Sequence, residues 1–162
     1  MKKVEERDQR DRSRQSALEV FDPARHGPDD VKGLLAMAEG YQTPERLDEV
    51  LGEYATRKDY ALFVASVSSR ITGLIGINTG KQPFGTITHL AVHPGFRRQG
   101  TGRWMIREAV RRTGLDTVAV ETDDDAVGFY RRCGFAMTEN REPVAGGPPP
   151  PGQTFHPCMT ER

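Results

Sequence analysis

The sequence predicts an α/β (α+β) domain built on a mixed, mostly antiparallel twisted sheet of about six to seven strands, flanked by about four helices. Three observations carry that expectation. The hydrophobic period changes from helical to alternating near Tyr60 and back to helical near Thr101. The segments then run strand, two helices, three strands, helix, strand, helix, two strands. Only the strand, helix, strand unit over residues 85 to 122 is a crossover, so only there must two strands be parallel, joined in the right-handed sense. A chain of 162 residues with 36% hydrophobic and 28% charged content is one ordinary domain, long enough to bury a core without metal or disulfide staples.

Residues 1 to 16 carry six basic and four acidic side chains, with Met1 and Val4 as the large apolar residues. That is too little burial to offset the cost of ordering, so they read as a charged, disordered tail, and the domain is expected over 17 to 162. "ALEVF" (17 to 21) reads as a first strand. In "DDVKGLLAMAEGY" Val31, Leu34, Leu35 and Ala38 recur at helical spacing, and "TPERLDEVLGEYATR" opens with Thr43 as cap and Pro44 at the first helical position. From Tyr60, "YALFVASVSS" and "RITGLIGINTG" are rich in β-branched and aromatic residues and meet at Ser68, Ser69 and Arg70, as a hairpin does. "GTITHLAVHP" (85 to 94) is a strand stopped by Pro94 and Gly95. A helix follows from Thr101 to about Arg112, with Met105, Ile106, Ala109 and Val110 on one face and Arg103, Arg107 and Arg111 on another. "DTVAVET" returns as a strand, "DDDAVGFYRRC" as a short helix and "GFAMTE" as a strand. The proline-rich segment 140 to 152 is expected to be a loop. "QTFHPCM" is expected as a last strand, which Pro157 would confine to an edge or a bulge.

Lys plus Arg and Asp plus Glu are equal at 23 each, which gives no support for a nucleic-acid or membrane-surface binder. Three arginines of the 101 to 112 helix share a face, but without interleaved aromatic residues other than Trp104, which disfavours nucleic acid further. Two cysteines, Cys133 and Cys158, do not make a disulfide framework, and the first residues lack the apolar run of a signal peptide, so a cytoplasmic protein is expected. No stretch approaches the roughly 20 apolar residues of a membrane span.

The chemistry concentrates in "HLAVHPGFRRQGTGRWMI", residues 89 to 106. Arg97 to Gly102 contain two arginines, two glycines and no apolar side chain, just before a helix. A helix N-terminus presents unpaired N–H groups and the positive end of the macrodipole, an arrangement suited to an anion. Residues 96 to 112 carry six arginines against one glutamate. A solvated basic helix with a flexible turn before it explains the letters equally well. A P-loop fails because Thr101 stands where lysine is required, and a dinucleotide fingerprint fails because Met105 stands where its third glycine belongs.

The same stretch resembles the acetyl-CoA-binding segment of the GNAT superfamily of N-acetyltransferases, an apolar strand ending in Val-x-Pro followed by [QR]-x-x-G-x-[GA] and a helix. Arg97, Gly100 and Gly102 stand on its three defining positions. "DDDAVGFYRRCGF" is similar to that family's second segment, N-x-x-A-x-x-[FL]-Y-x-x-x-G-F, with Ala126, Phe129, Tyr130, Gly134 and Phe135 in register. The resemblance implies the acyl-CoA N-acyltransferase fold, acetyl-CoA as cosubstrate, no metal, and direct attack of a primary amine on the thioester in a ternary complex. It implies that Leu90, Ala91 and Val92 hold the pantetheine arm, and that Arg98, Gln99, Gly100, Thr101, Gly102 and Arg103 line the pyrophosphate with Arg97. It implies an oxyanion donor in the Val92 N–H and an acid in Tyr130, with Ala126 and Phe129 beside the coenzyme. Asp123 departs from the pattern, standing where the family has an asparagine that bonds the pantetheine arm; a carboxylate lacks the amide's donors and equally suits a helix start.

For the base, Glu121 at a strand end and His89 on the thioester-bearing strand are candidates, beside a purely structural His89. His89 and His93 would bring two metal ligands together on a helix, but on a strand they lie about 13 Å apart at ~3.3 Å per residue, which excludes a shared metal. Cys133 reads as a small core residue. The acceptor, a small molecule or a peptide amine, is expected between the first helices (29 to 57) and the loop 140 to 153. There the acidic residues Glu45, Asp48, Glu49, Glu53 and Asp59 favour a cation or merely form a solvated face. The alternative to an enzyme is a non-catalytic acyl-CoA-binding protein on the same fold, and either a monomer or a homodimer is compatible with the sequence.

Overall fold

The computed structural model describes residues 16–40, 42–138 and 153–156. Its elements are β1 (Ala17–Val20), α1 (Pro28–Glu39), α2 (Pro44–Thr56), β2 (Tyr60–Val67), β3 (Arg70–Lys81), β4 (Phe84–Val92), a 3-10 turn (Pro94–Phe96), α3 (Thr101–Thr113), β5 (Thr117–Thr122), α4 (Asp124–Arg132), β6 (Ala136–Thr138) and β7 (Gln153–His156). The order of strands and helices is the one the periodicity predicts. The charged tail and the proline-rich loop lie outside the described residues.

Each start and stop has a local cause. Pro28 and Pro44 open α1 and α2 where the missing N–H costs nothing, and the Thr43 hydroxyl accepts from the Arg46 N–H at 3.3 Å, a cap worth about 1 kcal/mol. The β2–β3 hairpin turns on Ser68 and Ser69, both at positive φ (49° and 65°), the sense that matches the twist of the flanking strands.

The seven strands form one sheet in the order β1-β2-β3-β4-β5-β7-β6. All neighbours are antiparallel except β4 and β5, the crossover pair. Pro157, which led us to expect an edge or a bulge for the last strand, lies outside the described residues; β7 sits between β5 and β6, and β6 is the outer strand on that side of the described sheet.

Both faces of the sheet are covered, which explains the unbroken buried runs in β2 and β3. On one face Val31, Leu34 and Leu35 of α1 and Leu47 and Val50 of α2 close over Leu62, Val64, Leu74 and Ala91. On the other, Met105, Ile106 and Ala109 of α3 meet Ile75, Ile77, Ile87, Val118 and Val120, together with Tyr130, Cys133 and Phe135. No helix among the described residues is long and apolar enough to cross a membrane.

Candidate active site

β4 changes partners half-way along. Phe84 to Ile87 pair with Thr117 to Val120 of β5, and there the parallel ladder ends. Beyond it β5 pairs with β7 through Val120, Glu121 and Thr122, while β4 continues only against β3. A wedge therefore opens between β4 and β5. The register of β3 and β4 shifts at the same level, from Gly76↔His89 to Ile77↔Ile87, leaving Thr88 as the extra residue of a bulge.

Past the bulge the backbone of β4 offers free groups to the wedge. The His93 N–H donates to the Thr72 carbonyl of β3 at 2.8 Å. Alternation along an antiparallel ladder then turns the N–H and C=O of Leu90 and Val92 away from β3, toward the opening. The Val92 carbonyl is taken by Arg97 Nε at 3.0 Å; the two N–H groups are left.

Two clefts meet at this wedge. The first, about 560 Å3, is lined by Leu90, Ala91 and Val92, by the turn at Arg97, Arg98 and Gly100 to Arg103, and by Ala126, Phe129 and Tyr130 of α4. Arg132, Cys133, Phe96 and Met37 complete it. Its charged residues are Arg97, Arg98, Arg103 and Arg132, with no carboxylate in the lining among the described residues. The second, about 540 Å3, lies at the carboxyl end of β5 and carries Glu121, Asp123 and Asp125, with Thr88 and His89 on the β4 side. Met37, Leu90, Arg97, Ala126 and Tyr130 line both.

The turn before α3 is shaped for an anion in the first cleft. Arg98 (φ 60°) and Gly100 (φ 79°) are both left-handed, and Gly100 caps α3 without a side-chain hydrogen bond. The first helical bond runs from the Trp104 N–H to the Gly100 carbonyl at 3.0 Å, so the N–H groups of Thr101, Gly102 and Arg103 have no backbone partner among the described residues. The two glycines serve different ends. Gly100 needs its freedom of φ, whereas a Cβ on Gly102 would lie 2.8 Å from the Phe129 ring. Gly102 thus sets how closely α3 approaches α4, rather than only leaving room for a ligand.

Tyr130 is buried, and its hydroxyl makes no hydrogen bond to a described residue. Burial pushes its phenol above the usual tyrosine range, with Cys133 and Asp123 adding to the shift. It therefore stays protonated, a donor aimed between the clefts. Burial also raises the Cys133 thiol, although Arg103, Arg132 and Arg107 pull the other way, so the buried core residue expected from the sequence also borders the first cleft.

Two expected contacts fall elsewhere. Gln99 does not line the first cleft, and its Nε2 donates to the Gly95 carbonyl at 3.5 Å. Asp123 lines the second cleft instead, and its carboxylate caps α4 by accepting from the Ala126 N–H at 3.0 Å, which accounts for an acid in place of an amide. His93 accepts from the Gly95 N–H at 3.1 Å at the start of the 3-10 turn.

His89 is the residue the sequence under-described. Its Nε2 lies 2.6 Å from Glu39 Oε1 at the end of α1, and its Nδ1 lies 2.5 Å from the Tyr54 hydroxyl of α2. The same hydroxyl is 2.5 Å from Thr88 Oγ1. Tyr54 and Glu39 were not singled out from the sequence; the readable signal was Gly76, a glycine inside a strand, where a Cβ would fall 1.9 Å from the Tyr54 oxygen. By contrast, Asp48, Glu49, Glu53 and Asp59 are paired on the surface with Lys32, Arg46 or Arg57, so the acidity facing the wedge comes from Glu121, Asp123 and Asp125 instead.

Residues 31–148 match the acetyltransferase (GNAT) domain family. Over 101 residues, 62% of this chain and 82% of the relative, the sequence is 29% identical to an uncharacterized N-acetyltransferase in the lysA 3' region of Bacillus methanolicus. The fold is similar to that of a Bacillus subtilis acetyltransferase in complex with CoA, with a TM-score of 0.64 and 16% identity over 88% of this chain and 98% of that one. It is also similar to that of a spermidine N-acetyltransferase variant from Vibrio cholerae, with a TM-score of 0.65 and 14% identity over 88% and 92% of the two chains.

Proposed function

The chain belongs to the GNAT acetyltransferase family, an acyltransferase with acetyl-CoA as cosubstrate, and from that premise we propose that it transfers the acetyl group to a primary amine by direct attack in a ternary complex. The observation that carries this reading is the pair of clefts that meet at Tyr130, one basic and one acidic. A protein that only stored acyl-CoA needs the first cleft; a second one reaching the same tyrosine favours transfer.

In this reading the free amides of Thr101, Gly102 and Arg103, with Arg98, Arg103 and Arg132, hold the pyrophosphate. Leu90, Ala91 and Val92 hold the pantetheine arm along the unpaired edge of β4. Val92 was the oxyanion donor expected from the sequence. Leu90 is the better assignment, because its N–H also faces the opening and it alone of the two lines both clefts. Tyr130 donates a hydrogen bond to the departing sulfur, and its raised phenol keeps it a donor at any working pH. Glu121 and His89 both face the acceptor side and are the groups available as base. Direct attack is further supported by Cys133, whose burial and raised thiol make it a poor nucleophile.

Glu121, Asp123 and Asp125 favour an acceptor that carries positive charge. A free, buried Cys133 suits the reducing cytoplasm expected from the sequence. Calorimetry with CoA, beside thiol release from acetyl-CoA over a panel of primary amines, tests the whole reading: micromolar CoA binding and amine-dependent release are expected, and no binding at millimolar CoA would end it.

A further inference from the structure

We propose that Thr88 takes the proton from the acceptor amine and passes it through Tyr54 to His89, so that the base of this enzyme acts through two hydroxyl groups rather than by touching the substrate. The inference rests on the acetyl-transfer reading above and specifies how its acceptor loses a proton.

Both ring nitrogens of His89 are occupied, Nε2 by Glu39 and Nδ1 by Tyr54. The ring therefore cannot reach an amine without giving up one of these bonds. Thr88 is half-exposed and lines the second cleft, and its Oγ1 lies 2.5 Å from the Tyr54 oxygen. Neighbouring residues of a strand point to opposite faces; Thr88 and His89 meet one hydroxyl because the bulge turns one of them. Gly76, the β3 partner of His89, leaves the hollow that receives this hydroxyl.

The chain has a single consistent direction. A Glu39 carboxylate only accepts, so His89 Nε2 carries the proton and Nδ1 accepts from the Tyr54 O–H, whose oxygen accepts from the Thr88 O–H. As the amine nitrogen bonds to the acyl carbon, one N–H bond breaks toward Thr88 Oγ1, the Thr88 proton moves to Tyr54 and the Tyr54 proton moves to His89 Nδ1. Each broken bond leaves its electron pair on the atom that lost the proton. Thr88 and Tyr54 end neutral, the positive charge ends on the His89 imidazolium beside Glu39, and the sulfur leaves with the C–S electron pair under the Tyr130 hydroxyl. Burial raises the Tyr54 phenol, opposed by its bond to Thr88, which fits a group that exchanges protons without ionising. Glu39, 19% exposed, leads from the ring to solvent.

The charged and titratable groups around the chain are Glu39 on α1, Tyr54, Glu53 and Arg46 on α2 (Arg46 Nε 4.0 Å from Glu39), Tyr60 on β2 beside the Tyr54 ring, Arg97 after β4, Glu121 on β5, and Asp123, Asp125 and Tyr130 at α4. Only His89 keeps the proton at the end of this scheme.

Thiol release by the wild type, Thr88→Val, Thr88→Ser and Tyr54→Phe, with thermal midpoints alongside, decides the matter. Thr88→Val and Tyr54→Phe should each lower kcat by roughly a hundredfold, with the KM for acetyl-CoA within about twofold. Thr88→Ser should keep the rate. A purely structural Thr88 would be served as well by valine as by serine. A Thr88→Val enzyme with wild-type kcat would overturn the relay while leaving acetyl transfer intact. So would ring nitrogen resonances placing the neutral His89 proton on Nδ1. No thiol release by the wild type with any amine would overturn the acetyl-transfer reading, and the relay with it.

Discussion

The two clefts that meet at Leu90 and Tyr130 are built from the same separation of β4 and β5, yet they carry opposite charge. The first gathers Arg97, Arg98, Arg103 and Arg132 with no acid in its lining among the described residues; the second gathers Glu121, Asp123 and Asp125 against Arg97. On the proposed reading the first suits a diphosphate and the second an acceptor that carries positive charge, so each reactant is disfavoured in the other's compartment. The teaching is topological. A strand that loses its neighbour at Ile87 creates one backbone edge and two spaces around it; the turn before α3 with Arg103 and Arg132 makes one of them basic, and Glu121 with the acidic start of α4 makes the other acidic.

Four measurements can break or sharpen that contrast. Tyr130→Phe acts at the seam: kcat should fall roughly a hundredfold while calorimetric CoA affinity stays within about twofold, and unchanged turnover would remove Tyr130 from the chemistry. Reversing charge on one side only, Arg103→Glu with Arg132→Glu, should weaken CoA binding about tenfold, flatten its dependence on salt and leave the amine KM alone. The mirror experiment, Glu121→Gln with Asp125→Asn, should raise the KM of a cationic amine by about threefold through lost attraction across solvent and leave CoA affinity untouched; equal effects on both ligands would refute the partition. The smallest effect concerns Cys133. Because burial raises its thiol, alkylation followed by mass spectrometry should be slow at neutral pH and quicken only above the ordinary thiol range, and bound CoA should slow it further.

Much of this was legible before any coordinates. Alternation and helical spacing report on faces that must be buried, so the strands and helices over residues 17 to 138 follow from the letters within a residue or two at most ends. The turn at Arg97 to Gly102 was equally open to reading, since free amides, arginines and glycine are local properties. What escaped depends on distant residues. Tyr54 meets His89 across 35 positions and Glu39 meets it across 50, and no spacing rule joins a helix end to a bulge. The seat of β7 between β5 and β6 was hidden for a related reason: strand order at the end of a sheet is set by pairing between distant segments, and a proline beside a strand does not report it. The acids of α2 were left open between a cation site and a solvated face because composition counts charges without their partners; most of them face a lysine or an arginine on the surface.

The contact between Gly102 and the Phe129 ring bears on how this scaffold could be redesigned. With 2.8 Å between the tip of the ring and the place a methyl group would occupy, and with Val92 Cγ2 at 3.6 Å on another side, position 102 accepts a methyl only if the ring gives way. The two residues are therefore one unit for redesign: an engineer reshaping this wall of the first cleft would vary them together, since a smaller side chain at 129 opens the space that a larger one at 102 needs.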